Sequence, residues 1–353
     1  MTTNPEYLDN AATTKVDERV FNAMKPYFME VFGNASSNHN FGRQAKKAID
    51  KAREQVSEIL NCDSKEVIFT SGATESINLA IKGYLEANPE KGNHIITVKT
   101  EHKAVLSTCE YLEKKGIEVT YLDVDENGLI SLDNLENSIK ENTALIVVMY
   151  VNNEIGVIQP IKEIGVIAKQ HNITFLCDAT QAVGKVKVDI VESGIDLLAL
   201  SGHKLNGPKG VGALFIKKGI KLTPILHGGS QENGLRAGTY NTPLIIGLGK
   251  ACELANNEFV KNHNYLLKKR VEIINYFEDN NMGEINFKAV NTSPHILSIT
   301  LNNIDAEDYL IINAKKITAS TGSACNTNIM TISHVLKSLN IKTNSIIRIS
   351  INL

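Results

Sequence analysis

Seven short, almost wholly apolar segments alternate with helix-patterned ones, and this alternation constrains the fold more than any other feature of the chain. The apolar segments read as strands over Glu66–Thr70, His94–Lys99, Ile117–Leu122, Ala144–Val151, Ile173–Cys177, Asp196–Leu200 and Val211–Ile216. Helices are predicted before the first and between several of them. One covers Phe41–Leu60, where Ala45, Ala48, Ile49, Ala52, Val56 and Ile59 recur at helical spacing. Another opens at Ser71-Gly72-Ala73-Thr74, and others cover Lys103–Lys115, 132–140 and 161–171. Strands that are apolar at nearly every position are buried on both faces, which implies an α/β fold with a mostly parallel sheet under helices. Residues 244–285 read as one long helix leading out of this unit. From about residue 294 the pattern restarts, with a strand at 295–301, a helix at 305–313, a glycine-rich loop, a helix at 331–339 and a strand at 345–351. The expectation is a large domain over 15–256 and a small α+β domain made of 1–14 and 257–353.

Charge and cysteine usage exclude several classes. The 353 residues carry 37 basic and 39 acidic side chains, a net charge of −2, so nothing suggests a nucleic-acid surface. The longest apolar runs, such as Ala144–Val151, are too short to span a bilayer. Met1-Thr2-Thr3-Asn4 has neither a basic nor an apolar signal region. Cys62, Cys109, Cys177, Cys252 and Cys325 are odd in number and widely scattered, which argues against a disulfide framework and against a CxxC metal site. A metal-free enzyme in a reducing cytoplasm, away from membranes and nucleic acid, is expected.

Two strand ends concentrate the chemistry. Asp178-Ala179-Thr180-Gln181 closes one apolar strand and Ser201-Gly202-His203-Lys204 closes another. The carboxyl ends of strands in open α/β sheets are where ligands bind. Pyridoxal phosphate (PLP) needs a lysine for its Schiff base and an acid for its pyridinium nitrogen. A lysine at a buried rim loses its proton through desolvation and can then attack a carbonyl. Ser71-Gly72-Ala73-Thr74-Glu75 follows a strand and starts a helix, where free N–H groups and a hydroxyl make a phosphate cup. Taken singly these residues have plainer readings. Thr74 and Asp178 serve as helix caps, Lys204 as a surface charge, His102 as a helix-start residue and Asn153 as a turn former. The functional readings are a stacking and proton-exchanging ring for His102 and a cofactor hydrogen bond for Asn153. The joint pattern points to PLP. Cys325 sits in Ser320-Thr321-Gly322-Ser323-Ala324-Cys325-Asn326-Thr327-Asn328, small polar residues that favour a mobile loop over a core. A thiol there can reach a site, react and swing out.

On these residues the chain resembles the NifS/IscS-type cysteine desulfurases, the class V aminotransferase branch of PLP fold type I. Matching blocks run from Tyr7-Leu8-Asp9-Asn10-Ala11-Ala12-Thr13-Thr14 to Ile347-Arg348-Ile349-Ser350, and include Phe69–Ser76, Thr100–Val105, Val151–Gly156 and His227-Gly228-Gly229. The resemblance implies that Lys204 carries PLP and shuttles the substrate α-proton. Asp178 would pair with the pyridinium nitrogen, Gln181 and Asn153 would contact the phenolic oxygen, and His102 would stack on the ring. Thr74, Ala73, Ser201 and His203 would hold the phosphate. Thr239, in Arg236-Ala237-Gly238-Thr239, would reach the phosphate of the other subunit of a homodimer. L-cysteine would become L-alanine, leaving a persulfide on Cys325 for a protein acceptor in iron–sulfur assembly, tRNA thiolation or DNA phosphorothioation.

Two positions depart from the family pattern. Leu353 stands where the resemblance would put the arginine expected to hold the substrate carboxylate, ahead of the position expected for the family's further C-terminal helices. Arg348 is not expected to replace it, because a five-residue offset puts two positions of a regular strand on opposite faces. Met330-Thr331-Ile332 replaces a common Leu-Glu-Pro. The competing readings are a selenocysteine lyase-like enzyme, against which Cys325 speaks, and a catalytically weak sulfur-relay subunit, supported by the missing arginine alone.

Overall fold

The computed structural model describes residues 5–353 apart from 322, 327 and 328, and gives the backbone alone for 323–326 and 329–331. After the short strand β1 (Glu6–Tyr7), seven strands build the principal sheet. They are β2 (Val67–Thr70), β3 (His94–Val98), β4 (Glu118–Leu122), β5 (Thr143–Met149), β6 (Thr174–Asp178), β7 (Leu197–Ser201) and β8 (Gly212–Ile216). Their order is β2-β8-β7-β6-β5-β3-β4. Pairing is parallel from β4 through β3, β5 and β6 to β7. β8 runs antiparallel between β7 and β2.

Every residue of β5, β6 and β7 is buried. On one face Ile146, Val148, Phe175, Cys177, Leu198 and Leu200 share a core with helices Asn40–Leu60 and Thr242–Asn257. On the other, Leu145, Val147, Leu176, Leu197 and Ala199 meet Ile77, Ala80 and Ile81 of helix Ala73–Ala87 and Val105 of helix Lys103–Glu113. Two buried faces explain the unbroken apolar runs. The first of these helices is set by its own sequence. Ala45, Ile49, Ala52, Val56 and Leu60 form its buried stripe, and His39 caps its start by accepting the Gly42 N–H at 3.2 Å.

The later strands are β9 (Gly283–Ile285), β10 (Ile296–Leu301), β11 (Ile317–Thr318), β12 (Ser320–Thr321), β13 (Ser323–Asn326), β14 (Ile329–Ile332) and β15 (Ile346–Ser350). Four of them form a second, antiparallel sheet in the order β12-β15-β10-β9. Leu266, Phe277, Leu297, Ile299, Leu301, Tyr309, Ile347 and Ile349 cluster around it. β1 pairs in parallel with β11, which brings the N-terminal residues to this part of the molecule.

Two expectations are corrected. The long helix over 244–285 is two helices, Thr242–Asn257 and Phe259–Asp279, followed by β9. The break falls at Glu258 (φ −102°, ψ 10°), directly after Asn256 and Asn257, poor helix formers, and Arg19 binds the Glu258 carboxylate there. The segment expected to be a loop around Cys325 instead pairs as a hairpin, β13 with β14, with Cys325 opposite Met330. Ile329, Thr331 and Ile332 supply the β-branched strand. The following helix is accordingly only His334–Ser338, capped by Ser333, whose hydroxyl accepts the Leu336 N–H at 3.1 Å.

Ile146, fully buried at the centre of the sheet, gives a direct check on this core. Ile146→Ala should lower unfolding free energy by about 2–5 kcal/mol. Val166→Ala, at a position 54% exposed, should stay within about 0.5 kcal/mol. Denaturant melts of the two variants measure both.

Candidate active site

The parallel register levels the strand ends. Met149 of β5 pairs with Asp178 of β6, and Asp178 with Ala199 of β7. Beyond them Tyr150–Asn153, Ala179–Gln181 and Ser201–Lys204 share one rim, around a cavity of about 660 Å³. Its wall includes Ala73, Thr74, His102, Asn153, Asp178, Gln181, Ser201, His203 and Lys204. These nine sequence-predicted residues, scattered over some 130 positions of the chain, are thus brought together. Thr239 does not line this cavity and is exposed. The Cys325 side chain lies outside the described residues.

Lys204 ends the single turn Gly202–Lys204 that follows β7. Its Nζ donates to the carbonyls of Ala11 and Ala12, the latter at 2.7 Å. Burial pushes its pKa down to about 8, and Arg348 adds to the fall, against the opposing pull of Asp9 and Asp178. Asp178 is buried, and one carboxylate oxygen accepts the Thr180 N–H at 3.0 Å. His102 caps helix Lys103–Glu113: its Nδ1 accepts the Ala104 N–H at 3.0 Å. Burial lowers the His102 pKa, Asp178 opposes that, and Lys204 and His334 reinforce it. The ring is therefore neutral, with its proton on Nε2. Burial also pulls His203 down to about 4, helped by Lys204 and Lys209.

At Ser71–Glu75, where a phosphate cup is expected, the structure places a helix start at the cavity wall. Helix Ala73–Ala87 starts at Gly72, whose φ of +152° suits glycine, and its first-turn N–H groups have no intrahelical acceptor. Ser201 and His203 line the same cavity, and a Cβ built at Gly72 would lie 3.7 Å from Ser201 Oγ. Glu75 in that first turn is neutralised by Arg236 at 2.9 Å.

Sequence reasoning missed two contributors. The segment Ala11–Thr13 forms one wall, because Asn10 and Ala11 hydrogen-bond Ser350 (2.9 and 2.8 Å) while Thr14 binds the His203 carbonyl (2.9 Å). No periodicity signals such a long-range thread. Arg348 was set aside and also lines the cavity. Its guanidinium donates to the Asn153 carbonyl (2.9 Å), to Asp9 (2.6 Å) and to Ser320 (3.1 Å), while its buried Nε finds no acceptor. The offset argument fails because β15 ends at Ser350, so Leu353 does not continue that strand. Leu353 lies beside a different cavity, with Lys185 and Tyr265. The arginine loss that supported a weak relay subunit thus leaves a guanidinium in this site all the same.

The aminotransferase class V family model matches residues 6–353. A cysteine desulfurase IscS of Methanosarcina thermophila is 50% identical over 331 residues, covering 94% of this chain and 82% of the relative. Among solved structures, a NifS-like protein superposes with a TM-score of 0.92 at 36% identity, covering 99% of this chain and 94% of that one. A structure described as SspA in complex with cysteine superposes with a TM-score of 0.85 at 38% identity, covering 98% and 99%. The chain belongs to the class V aminotransferase family and, within it, to the NifS/IscS-type cysteine desulfurases. The fold is that family's PLP-enzyme fold type I.

Gly212 of β8 lets the Gly72 turn approach the sheet. A Cβ there would stand 2.5 Å from the Leu200 carbonyl oxygen and 2.7 Å from the Gly72 Cα. Gly212→Ala must therefore displace the helix start, and a thermal melt should register a loss of about 1–3 kcal/mol.

Proposed function

We propose that the protein binds PLP on Lys204 and converts L-cysteine to L-alanine, leaving a persulfide on Cys325 that passes to a protein acceptor. The observation that carries this reading is the convergence of Lys204, Asp178 and His102 with a helix N-terminus on one 660 Å³ cavity. The cavity residues fit the cofactor. An amine, an acid and an anion cup lie around one space, and Thr180 Oγ1 and Arg348 Nε are buried there without partners.

PLP, when bound, supplies the electrophile and the electron sink that make the substrate α-proton acidic. The protein supplies the rest. Thr74, Ala73, Ser201 and His203 would hold the phosphate, and Asp178 would pair with the ring nitrogen. Gln181 and Asn153 would donate to the phenolic oxygen, and His102 would stack on the ring. Lys204, with its pKa lowered to about 8, exchanges a proton at its Nζ near neutral pH. The Cys325 thiolate attacks the substrate sulfur. An S–S bond forms, the substrate Cβ–S bond breaks, and a proton delivered to that carbon completes alanine. Arg348, with Nε unspent, binds the substrate carboxylate.

The active form is a homodimer in the cytoplasm, with domains at 15–256 and at 1–14 plus 257–353. Phe32 and Phe41, with ring centroids 5.7 Å apart, are both about half exposed or more, as are Phe21, Phe28 and Met29, and such exposed apolar side chains suit a second copy. Thr239, exposed on its own protomer, is then free to reach the other subunit's phosphate.

Three outcomes follow. Purified protein with PLP and L-cysteine should release alanine, and Cys325→Ala should abolish both alanine and the persulfide seen by mass spectrometry. Arg348→Ala should raise KM for cysteine by about 10- to 100-fold, the loss of a charge-assisted hydrogen bond, with a smaller effect on kcat. The third concerns pH. The neutral amine is the nucleophile, and its fraction grows as pH passes the lowered pKa. PLP uptake by cofactor-free protein should therefore accelerate with a midpoint near pH 8. Stopped-flow absorbance measures it, and a midpoint above pH 10 would contradict the burial argument.

A further inference from the structure

Gln181 is held from behind by a histidine that the proposed chemistry does not use. His295 is 2% exposed and sits immediately before β10, against the principal sheet's rim. Its Nδ1 lies 2.5 Å from the hydroxyl of fully buried Ser293, and its Nε2 lies 3.2 Å from Gln181 Oε1. Gln181 Nε2 in turn donates to the Ala11 carbonyl at 2.8 Å, the same oxygen that accepts Lys204 Nζ.

We propose that His295 is a positioning residue whose Nε2–H fixes the Gln181 amide so that its NH₂ group, not its carbonyl, serves the cofactor cavity. The directions follow from the inventory of donors and acceptors. A carbonyl oxygen only accepts, so the Gln181 atom facing Ala11 is the NH₂ group and the atom facing His295 is the oxygen. His295 must then donate from Nε2. Burial, and the surrounding Lys185, Arg270, Lys204 and Arg348, keep this imidazole neutral with a single N–H. Nδ1 is therefore the acceptor for the Ser293 hydroxyl. Flipping the Gln181 amide would set two donors against each other at His295 and two acceptors against each other at Ala11. One N–H of Gln181 remains for a ligand acceptor in the cavity that this residue lines.

The inference rests on the reading above that Gln181 donates to the PLP phenolic oxygen, and the test separates the two. The PLP-loaded full chain is compared with Gln181→Ala, His295→Leu and His295→Gln for its visible absorption maximum and its PLP dissociation constant. Gln181→Ala should shift the band and weaken PLP by about tenfold, one hydrogen bond's worth. His295→Leu should reproduce both changes. His295→Gln, whose terminal N–H reaches the place of Nε2, should restore them. Wild-type values for His295→Leu, or no restoration by His295→Gln in a variant that melts like wild type, overturn the proposal. Wild-type values for Gln181→Ala overturn the Gln181 reading itself, and the positioning role of His295 with it. If His295→Leu does not fold, imidazole ¹⁵N shifts of the intact enzyme decide. A protonated Nε2 with a bare Nδ1 supports the proposal, and the opposite tautomer or an imidazolium overturns it.

Discussion

The in-register parallel pairing of β5, β6 and β7 carries the rest of the molecule. Because Met149, Asp178 and Ala199 stand side by side, the loops leaving the three strands open at one level. An acid, an amide, a hydroxyl and an amine then face one space without any loop having to fold back. A slip of one residue would turn Asp178 into the core and an apolar neighbour into the cavity. Burial on both faces penalises such a slip, so the apolar cores that stabilise the sheet also fix the placement of the chemistry.

The second dependence is long-range. Residues Asp9–Thr14 bridge the two sheets, bonded to Ser350 at one end and to His203 at the other, and they present the carbonyls that receive Lys204. Those carbonyls hold the lysine in place while burial weakens its grip on a proton, so the amine is positioned and poised at once. Asp9 also engages Arg348, which links the N-terminal thread to the residue proposed to bind the substrate carboxylate. Glu101 shows the same low-dielectric floor: fully buried beside the rim, it accepts the Met149 N–H at 2.6 Å, and burial raises its pKa well above the usual carboxylate range.

Much of this was legible in the residues. The strands announced themselves because double-sided burial demands unbroken apolar runs, and Asp178, Ser201 and Lys204 were placed simply by following those strands to their ends. Thr74 was singled out because a helix start after a strand leaves N–H groups free beside its hydroxyl. What escaped notice depends on pairing between distant segments. The Ala11 and Ala12 carbonyls carry no side-chain signature. Arg348 was judged against a straight strand that in fact ends at Ser350. The hairpin around Cys325 was read as a loop because glycine, serine and asparagine outweighed Ile329–Ile332, whose strand character appears only with its partner.

The central claim is that Lys204, at the end of β7, is the amine that carries PLP. Reduction of the PLP-loaded protein with borohydride, followed by peptide mass spectrometry, tests it most directly. The account predicts a stoichiometric pyridoxyl-phosphate adduct on Lys204 and none in Lys204→Ala. An adduct on another lysine, or none at all, would contradict it.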